Sequence, residues 1–239
     1  MVGQRLSYLL NFLLVLELSK LTKSFGSNQV LRGISATFPA GGVYGIIGEN
    51  GAGKTTLFRC IAGLLPHEGA VSGADDTFRH RLGFLQTNNF FFAKMTGREY
   101  LRLLCQARSA PDDRLDERNV FDLPLDEYAE NYSTGMKKKL ALLGVLLQPN
   151  EIFILDEPFN GVDIQSNILI TEIIRELKQK GKTVLISSHI FSTLSDTCDE
   201  IYLLREGAFA KKVSPVDYAS LESEMIDVTV GDRLNRLGL

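Results

Sequence analysis

Cysteine is scarce in this sequence, and its few copies show no metal-binding pattern. The three cysteines, Cys60, Cys105 and Cys198, are odd in number and scattered along the chain. Structural zinc sites and disulfide frameworks rely on cysteines at regular spacings. The pattern therefore argues against both, and it favours reduced thiols in the core of a cytosolic protein.

A membrane-length apolar run is also missing. Residues 8–16 are apolar but interrupted by Asn11, whereas a spanning helix needs about 20 apolar residues. With Arg5 ahead of it, this stretch imitates a secretory signal, but no small-residue cleavage site follows it. We therefore expect neither a membrane span nor a signal peptide here.

Neither sign of charge is in large excess. The 239 residues are 44% hydrophobic and 23% charged, and their formal net charge is -3. This composition is ordinary for a soluble globular protein, and the length allows one or two domains with a sizeable core. Because the balance gives no general attraction to nucleic acid, we expect no nucleic-acid partner.

The pattern of apolar residues predicts strands alternating with helices, which implies an α/β fold with a mostly parallel sheet. The predicted strands are 14–21, 30–38, 43–47, 81–85, 152–155 and 183–186. One helix is predicted to begin at a capping box formed by Thr96 and Glu99. Two further helices are predicted at 134–148 and 164–180. Residues 66–76 are polar and contain glycine, and no strand or helix is predicted there. The residues of the last helix expected to face inward are Ile164, Ile168, Ile173, Ile174 and Leu177.

A glycine-rich segment, residues 48–56, stands between a predicted strand and a predicted helix. Its Gly-x4-Gly-Lys-Thr spacing is that of a phosphate-binding P-loop, in which glycines bring backbone N–H groups close to a polyphosphate. The helix N-terminus adds positive dipole at the same place. Lys54 would bridge the β- and γ-phosphates, and the Thr55 hydroxyl would bind Mg²⁺. The predicted phosphate-binding residues are Gly48, Asn50, Gly51, Gly53, Lys54, Thr55 and Thr56.

Acidic residues follow a second apolar strand, which is the Walker B pattern. Asp156 comes directly after residues 152–155, and its carboxylate would hold Mg²⁺ opposite the P-loop hydroxyl. Glu157 then stands close to the γ-phosphate, where a general base must be. His189 follows another strand, so Asp156 and His189 share the sheet edge at which such folds bind ligands.

The order of motifs resembles the ATP-binding cassette of ABC transporters, over residues ~14 to ~213. Gln86 resembles the family's Q-loop, residues 132–136 its signature, residues 159–163 its D-loop and His189 its switch histidine. The signature reads Ser-Thr-Gly-Met where the commonest form is Ser-Gly-Gly-Gln, a variant familiar in cassettes of the ABC-2 exporter type.

This resemblance implies a fold and a domain layout. The fold would be a P-loop NTPase three-layer core with a mostly parallel sheet, an N-terminal antiparallel β subdomain and a short α-helical insert. The ABC ATPase domain would cover 14–239, after an extension at 1–13. Its core would comprise ~14–86 and ~149–213, its insert ~87–148 and its tail 214–239.

The resemblance also implies that two cassettes close head-to-tail with two ATP molecules between them. Ser133 and Gly135 would then contact the ATP held by the other subunit's P-loop. Gln86 would touch Mg²⁺ or the attacking water, His189 would bond the γ-phosphate, and Phe25 would stack on adenine. Asp163 would cross the dimer interface and couple the two sites.

Two features keep more than one interpretation at this stage. Lys138 and Lys139 oppose the dipole of the helix that follows Ser133. An anionic nucleotide across the dimer interface would offset this unfavourable interaction, but the favoured interpretation is that both lysines are solvated at the surface.

Residues 90–92 are three phenylalanines, which form either core or the exposed apolar site where a membrane partner docks.

The predicted function is that of the ATPase subunit of an ABC transporter, which powers a membrane-spanning permease on a separate chain. Mg-ATP would lie in a homodimer or heterodimer of cassettes at the cytoplasmic face of the inner membrane. The alternative is a soluble ABC ATPase of DNA repair or translation, although those usually carry a coiled-coil insertion or tandem cassettes. A non-catalytic regulatory subunit would be expected to lack Lys54, Glu157 or His189, and this sequence has all three. An unrelated P-loop kinase would not contain the signature residues or His189.

Overall fold

A computed structural model describes residues 16–72 and 76–226 of the chain. The predicted extension 1–13, most of the signal-like stretch 8–16 and the end of the predicted tail, 227–239, lie outside the described residues. Within the described residues, no helix is both long and apolar enough to cross a membrane.

Strands and helices alternate along the described chain. The strands are β1 Leu16–Phe25, β2 Asn28–Phe38, β3 Val43–Ile47, β4 Glu68–Ser72, β5 Leu82–Leu85, β6 Ile152–Asp156, β7 Thr183–Ser188, β8 Glu200–Arg205 and β9 Ala208–Val213. The α-helices are α1 Lys54–Ile61, α2 Asp76–Arg81, α3 Gly97–Gln106, α4 Thr134–Leu146, α5 Ile164–Gln179, α6 Ser192–Ser195 and α7 Tyr218–Ile226. Short 3-10 helices cover Ala129–Asn131 and Pro215–Asp217.

The larger sheet of the described residues has the strand order β5-β6-β7-β3-β8-β9. The first five of these strands run parallel, and β9 is antiparallel to β8. Every residue of β3, β6 and β7 is buried, which explains why these strands appear in the sequence as continuous apolar runs. The predicted α/β fold with a mostly parallel sheet is confirmed.

A smaller antiparallel sheet has the order β2-β1-β4, which confirms the predicted antiparallel β layer. Its strand β4 lies inside 66–76, a polar stretch for which the sequence pattern predicts no strand. The side chains of Glu68–Ser72 are mostly exposed, so the strand lacks the apolar alternation that marks a half-buried one. Pairing with β1 forms this strand, and such long-range pairing cannot be seen in a local pattern.

Two apolar clusters cover the two faces of the larger sheet. Alternate residues point to opposite faces of a strand, so Val43 and Ile47 join one cluster while Tyr44 and Ile46 join the other. The first cluster includes residues of α3, α4 and α5, and the second includes residues of α1 and the small sheet. The chain therefore forms three layers, with the larger sheet in the middle.

The inward face predicted for α5 is partly wrong. Its buried row runs through Ser166, Ile170 and Ile174, which are spaced four residues apart. Ile164 and Ile168 are offset from this row by two residues, which places them on the opposite side of the helix, and they are 79% and 61% exposed.

The three phenylalanines at 90–92 divide between the two interpretations. Phe90 and Phe92 are 73% and 50% exposed, and their ring centroids are 5.1 Å apart. Phe91 packs on Tyr100, with ring centroids 4.8 Å apart. Two of the three rings therefore form an exposed apolar patch, and one packs against the core.

The predicted capping box of α3 is confirmed. The Thr96 hydroxyl accepts a hydrogen bond from the Glu99 backbone N–H, and the Glu99 carboxylate accepts one from the Thr96 N–H. Thr96→Ala is expected to lower the free energy of unfolding by about 1 kcal/mol, because an orphan N–H loses its partner. Urea denaturation measures this. Glu99→Gln keeps an acceptor for the Thr96 N–H and is expected to cost less; an equal loss would contradict the capping account.

Candidate nucleotide-binding site

A cavity of about 600 Å³ lies where the P-loop meets the ends of β6 and β7. Its lining mixes backbone of the glycine-rich loop with polar and charged side chains. The lining residues are Val30, Glu49, Asn50, Gly51, Gly53, Lys54, Thr55, Thr56, Thr87, Glu157, Asn160 and His189. Polar residues from distant parts of the sequence therefore converge at the edge of the sheet where α/β folds bind ligands.

The P-loop has a backbone shape that glycine allows. Gly51 and Gly53 have φ angles of 87° and 107°, in the left-handed region that other residues rarely adopt. A Cβ atom at Gly48 would lie 2.4 Å from the Leu204 carbonyl oxygen, so this position cannot carry a side chain without a shift. The helix α1 begins immediately afterwards at Lys54, so its free N–H groups open into the cavity.

Lys54 is nearly buried, and its ammonium group is satisfied inside the loop. The Nζ atom donates to the carbonyl oxygens of Gly48 at 2.6 Å and Glu49 at 3.2 Å. It also lies 3.3 Å from Glu157 Oε1, forming an ion pair. The lysine is thus held at the cavity wall as a positive charge, suited to an anionic ligand.

Three hydroxyl groups converge on the fully buried carboxylate of Asp156. Thr55 Oγ1 and Thr87 Oγ1 donate to Asp156 Oδ2 at 2.7 and 2.6 Å. Ser187 Oγ donates to Asp156 Oδ1 at 2.6 Å. A hydroxyl group that donates a hydrogen bond still has lone pairs that can bind a cation. Mg²⁺ prefers oxygen ligands of this kind. Residues at this wall therefore fit a magnesium ion beside the P-loop.

Glu157 is fixed from three directions. Its φ angle is 53°, in the left-handed region that residues other than glycine adopt uncommonly. Its N–H donates to Ser187 Oγ at 2.9 Å. Its carboxylate lies 3.3 Å from Lys54 Nζ through Oε1 and 2.9 Å from His189 Nδ1 through Oε2. The carboxylate is therefore oriented at the cavity wall between a cation and an imidazole.

The structure places other predicted site residues outside this cavity. Gln86 lines a separate groove with Phe84 and Phe90. Phe25 ends β1 with its ring half exposed, and Lys23 Nζ lies 4.9 Å from the ring centroid. These residues are not brought together with Lys54 and Glu157 within the described chain, and their predicted roles stay predictions.

Ser133 and Gly135 also lie away from the cavity, at the start of α4. The Ser133 hydroxyl accepts a hydrogen bond from the Met136 N–H at 3.2 Å and so caps the helix. A Cβ atom at Gly135 would lie 2.7 Å from the Gly161 carbonyl oxygen, so this glycine permits close packing on the segment that precedes α5. Ser133 itself faces solvent.

The interpretation of Lys138 and Lys139 as solvated surface is wrong. Lys138 is 5% exposed, and burial lowers the pKa of its ammonium group while Asp156 and Glu157 oppose that shift. The side chain of Lys139 is 15% exposed and pairs with Asp163 at 3.1 Å. Hydrogen bonds from Ser166 and Lys139 hold the pKa of Asp163 well below its usual range.

Sequence reasoning missed several residues that the site contains. They are Val30, Thr87, Lys138 and Ser187, whereas Glu49 and Asn160 lie inside the predicted P-loop and D-loop, without a predicted role of their own. One pattern in the sequence does indicate burial of Lys138, because Ala141 and Leu142, three and four residues further along α4, are apolar and lie on the same side of the helix. For Thr87 and Ser187 the local sequence gives no sign of which hydroxyls reach Asp156.

The glycine-rich loop, the buried lysine and the Asp156 cluster define the fold and site of a P-loop nucleotide-binding protein. Comparison with known proteins narrows this class. A family model described as ABC transporter matches residues 31–160. The chain belongs to the ABC transporter family and is one of its ATP-binding proteins.

Curated relatives support the same assignment. The uncharacterized ABC transporter ATP-binding protein YdbJ of Bacillus subtilis (strain 168) is 32% identical over 213 residues, which are 84% of this chain and 69% of that protein. The Nod factor export ATP-binding protein I of Burkholderia lata is 31% identical, covering 88% of this chain and 73% of that protein. The bacitracin transport ATP-binding protein BcrA of Enterococcus faecalis is 30% identical, covering 84% of this chain and 69% of that protein.

Solved structures show the same fold. The structure of an ATP binding subunit of an ABC transporter aligns with a TM-score of 0.73 and 25% identity, covering 94% of this chain and all (100%) of that one. The dimeric post-hydrolysis structure of the ATP-binding cassette MJ0796 bound to ADP and Pi aligns with a TM-score of 0.76 and 19% identity, covering 84% and 98% of the two chains.

Proposed function

We propose that this ATP-binding protein hydrolyses Mg-ATP with Glu157 as the general base and uses the cycle to drive a membrane-spanning permease on another chain. The observation that carries the proposal is the placement of Glu157. Its carboxylate lies in the cavity wall between Lys54 and His189 and directly after the buried Asp156. A carboxylate held beside a phosphate-binding loop can accept a proton from a water that attacks the γ-phosphorus.

The other cavity residues have matching roles in this proposal. The backbone of residues 48–53 and the Lys54 ammonium bind the phosphates, while Thr55 and Asp156 hold Mg²⁺. The ion, when bound, neutralises charge on the β- and γ-phosphates. His189 orients the Glu157 carboxylate through its 2.9 Å contact and lies where it can bond a γ-phosphate. Catalysis then rests on positioning and charge stabilisation.

A second copy of a cassette completes the site in the proposed cycle. Ser133 and Gly135 stand at the exposed N-terminus of α4 and do not line the chain's own cavity. A helix N-terminus offers free N–H groups and positive dipole to an anion, so this end of α4 suits the phosphates bound by a partner cassette. A head-to-tail dimer brings each P-loop to the partner's α4.

The permease is proposed from the surface and from the relatives. A groove of about 480 Å³ beside the exposed Phe90 is lined mainly by apolar residues, among them Phe84, Tyr100 and Leu104, together with two arginines and three amide side chains. An apolar patch of this kind fits a docking segment of a partner protein. Because relatives are named for Nod factor export and bacitracin transport, we propose an exporter of the ABC-2 type, with this chain at the cytoplasmic face of the membrane.

Purification from membranes tests the transporter proposal against a soluble ABC ATPase of DNA repair or translation. The tagged chain is expected to bring down a multi-span protein, and Phe90→Asp is expected to lose that protein while still binding ATP, since a charge in the apolar groove opposes docking. Val216→Asp is a matched control, because Val216 is 87% exposed and does not line the groove. A chain that stays wholly soluble without a partner would overturn the transporter proposal.

A further inference from the structure

Lys138 forms hydrogen bonds to two segments of the site, the loop after β5 and the end of β6. It lies on α4, and its Nζ donates to the carbonyl oxygens of Thr87 at 3.1 Å, Gln86 at 3.4 Å and Asp156 at 3.4 Å. A buried ammonium group loses the hydrogen bonds that water gave it and needs replacements. Here the three replacements are backbone oxygens after β5 and at the end of β6.

The residues joined in this way also bond each other through their side chains. The Thr87 hydroxyl donates to Asp156 Oδ2 at 2.6 Å, and it lies 3.5 Å from Thr55 Oγ1. The Lys138 ammonium group therefore binds the backbone of Thr87, which donates through its hydroxyl, and the backbone of Asp156, which accepts through its carboxylate. Without that anchor, the loop that carries Thr87 has no other described hydrogen bond from α4 to hold it against the end of β6.

We propose that Lys138 is a positioning residue that holds the Thr87 hydroxyl on Asp156, and that Thr87 joins Thr55 and Asp156 in binding the magnesium of Mg-ATP. The inference rests on the proposed function, since it assumes that the cavity takes Mg-ATP. Two threonine hydroxyls on one carboxylate oxygen fix where that oxygen and both sets of lone pairs point. Loss of either Thr87 or its anchor then weakens binding of the metal rather than binding of the phosphates.

Calorimetric titration of the purified chain with ATP, in Mg²⁺ and separately in EDTA, tests the inference. Lys138→Met removes the charge at similar length, and Thr87→Val removes the hydroxyl at similar shape. Each is expected to weaken ATP binding in Mg²⁺ by about ten-fold, as loss of a group that orients a metal ligand does. Binding in EDTA is expected to stay at the wild-type value, because the P-loop contacts are intact.

The double variant separates positioning from general damage. If Lys138 acts through Thr87, the double variant binds Mg-ATP no more weakly than either single variant, whereas independent effects multiply. Lys137→Met is a matched control on the same helix, because Lys137 Nζ donates to the Glu130 carbonyl oxygen at 2.9 Å, away from Asp156. It is expected to behave like the wild type.

Each other outcome overturns the inference in a recognisable way. Equal losses in Mg²⁺ and in EDTA would give Lys138 a structural role, and multiplying losses would separate it from Thr87. Thr87→Val carries the test of the metal if Lys138→Met does not fold, and wild-type binding by Thr87→Val would end the proposal. A wild-type chain that binds ATP without any effect of Mg²⁺ would instead contradict the proposed function itself.

Discussion

Glu157→Gln is expected to bind ATP as the wild type does, to hydrolyse it about 100- to 10,000-fold more slowly, and to accumulate as an ATP-bound dimer. The amide keeps the size of the carboxylate but cannot accept the proton of the attacking water. Lys54 and the loop backbone still bind the phosphates, so assembly precedes the blocked step. Phosphate release gives the rate, and size-exclusion chromatography with and without ATP gives the oligomeric state.

Glu151→Gln is the matched control for this substitution. Glu151 stands just before β6, at the opposite end of the strand from Glu157, and its side chain, which pairs with Arg81, is 52% exposed. The same chemical change there is expected to leave hydrolysis unchanged, since a surface ion pair of this kind contributes little. Hydrolysis by Glu157→Gln at the rate of the control would show that another group activates the water.

The parts of the site that sequence could predict are those built from consecutive residues. Residues 48–56 form a P-loop because glycines and a lysine follow one another between a strand and a helix. Asp156 could be placed opposite Thr55 because both follow buried parallel strands, whose carboxyl ends share one edge of the sheet. The hydrogen bond from Thr55 Oγ1 to Asp156 Oδ2, with a donor–acceptor distance of 2.7 Å, agrees with that rule.

The parts that could not be predicted depend on contacts between distant segments. Thr87 and Ser187 are small polar residues whose partners are set by the packing of neighbouring strands, and no spacing marks them. A lysine is rarely buried, so the residue type favours solvent for Lys138. The three carbonyl oxygens that accept its hydrogen bonds come from residues 52, 51 and 18 positions away. The exposed strand β4 has no local sequence pattern for a similar reason, since it forms by pairing with β1, which lies far away in sequence.

Two inactive variants are expected to restore each other's activity if the dimer is head-to-tail. Lys54→Ala removes the ammonium group that is proposed to bind the phosphates, and Ser133→Arg places a bulky cation at the start of α4. Each homodimer then has two defective sites. A mixed dimer pairs the intact P-loop of one protomer with the intact α4 of the other, which leaves one site whole and one doubly defective.

An equal mixture of the two variants is expected to regain up to about a quarter of wild-type hydrolysis, since random pairing gives half mixed dimers, each with one working site of two. Mixing Lys54→Ala with Glu157→Gln is the control. Both of those changes lie on the P-loop side of the site, so every mixed dimer still has two defective sites. Recovery in the first mixture and none in the second requires that Ser133 acts on the ATP of the partner. Without recovery in either, α4 would serve its own protomer, and the exposed position of Ser133 would need a different explanation.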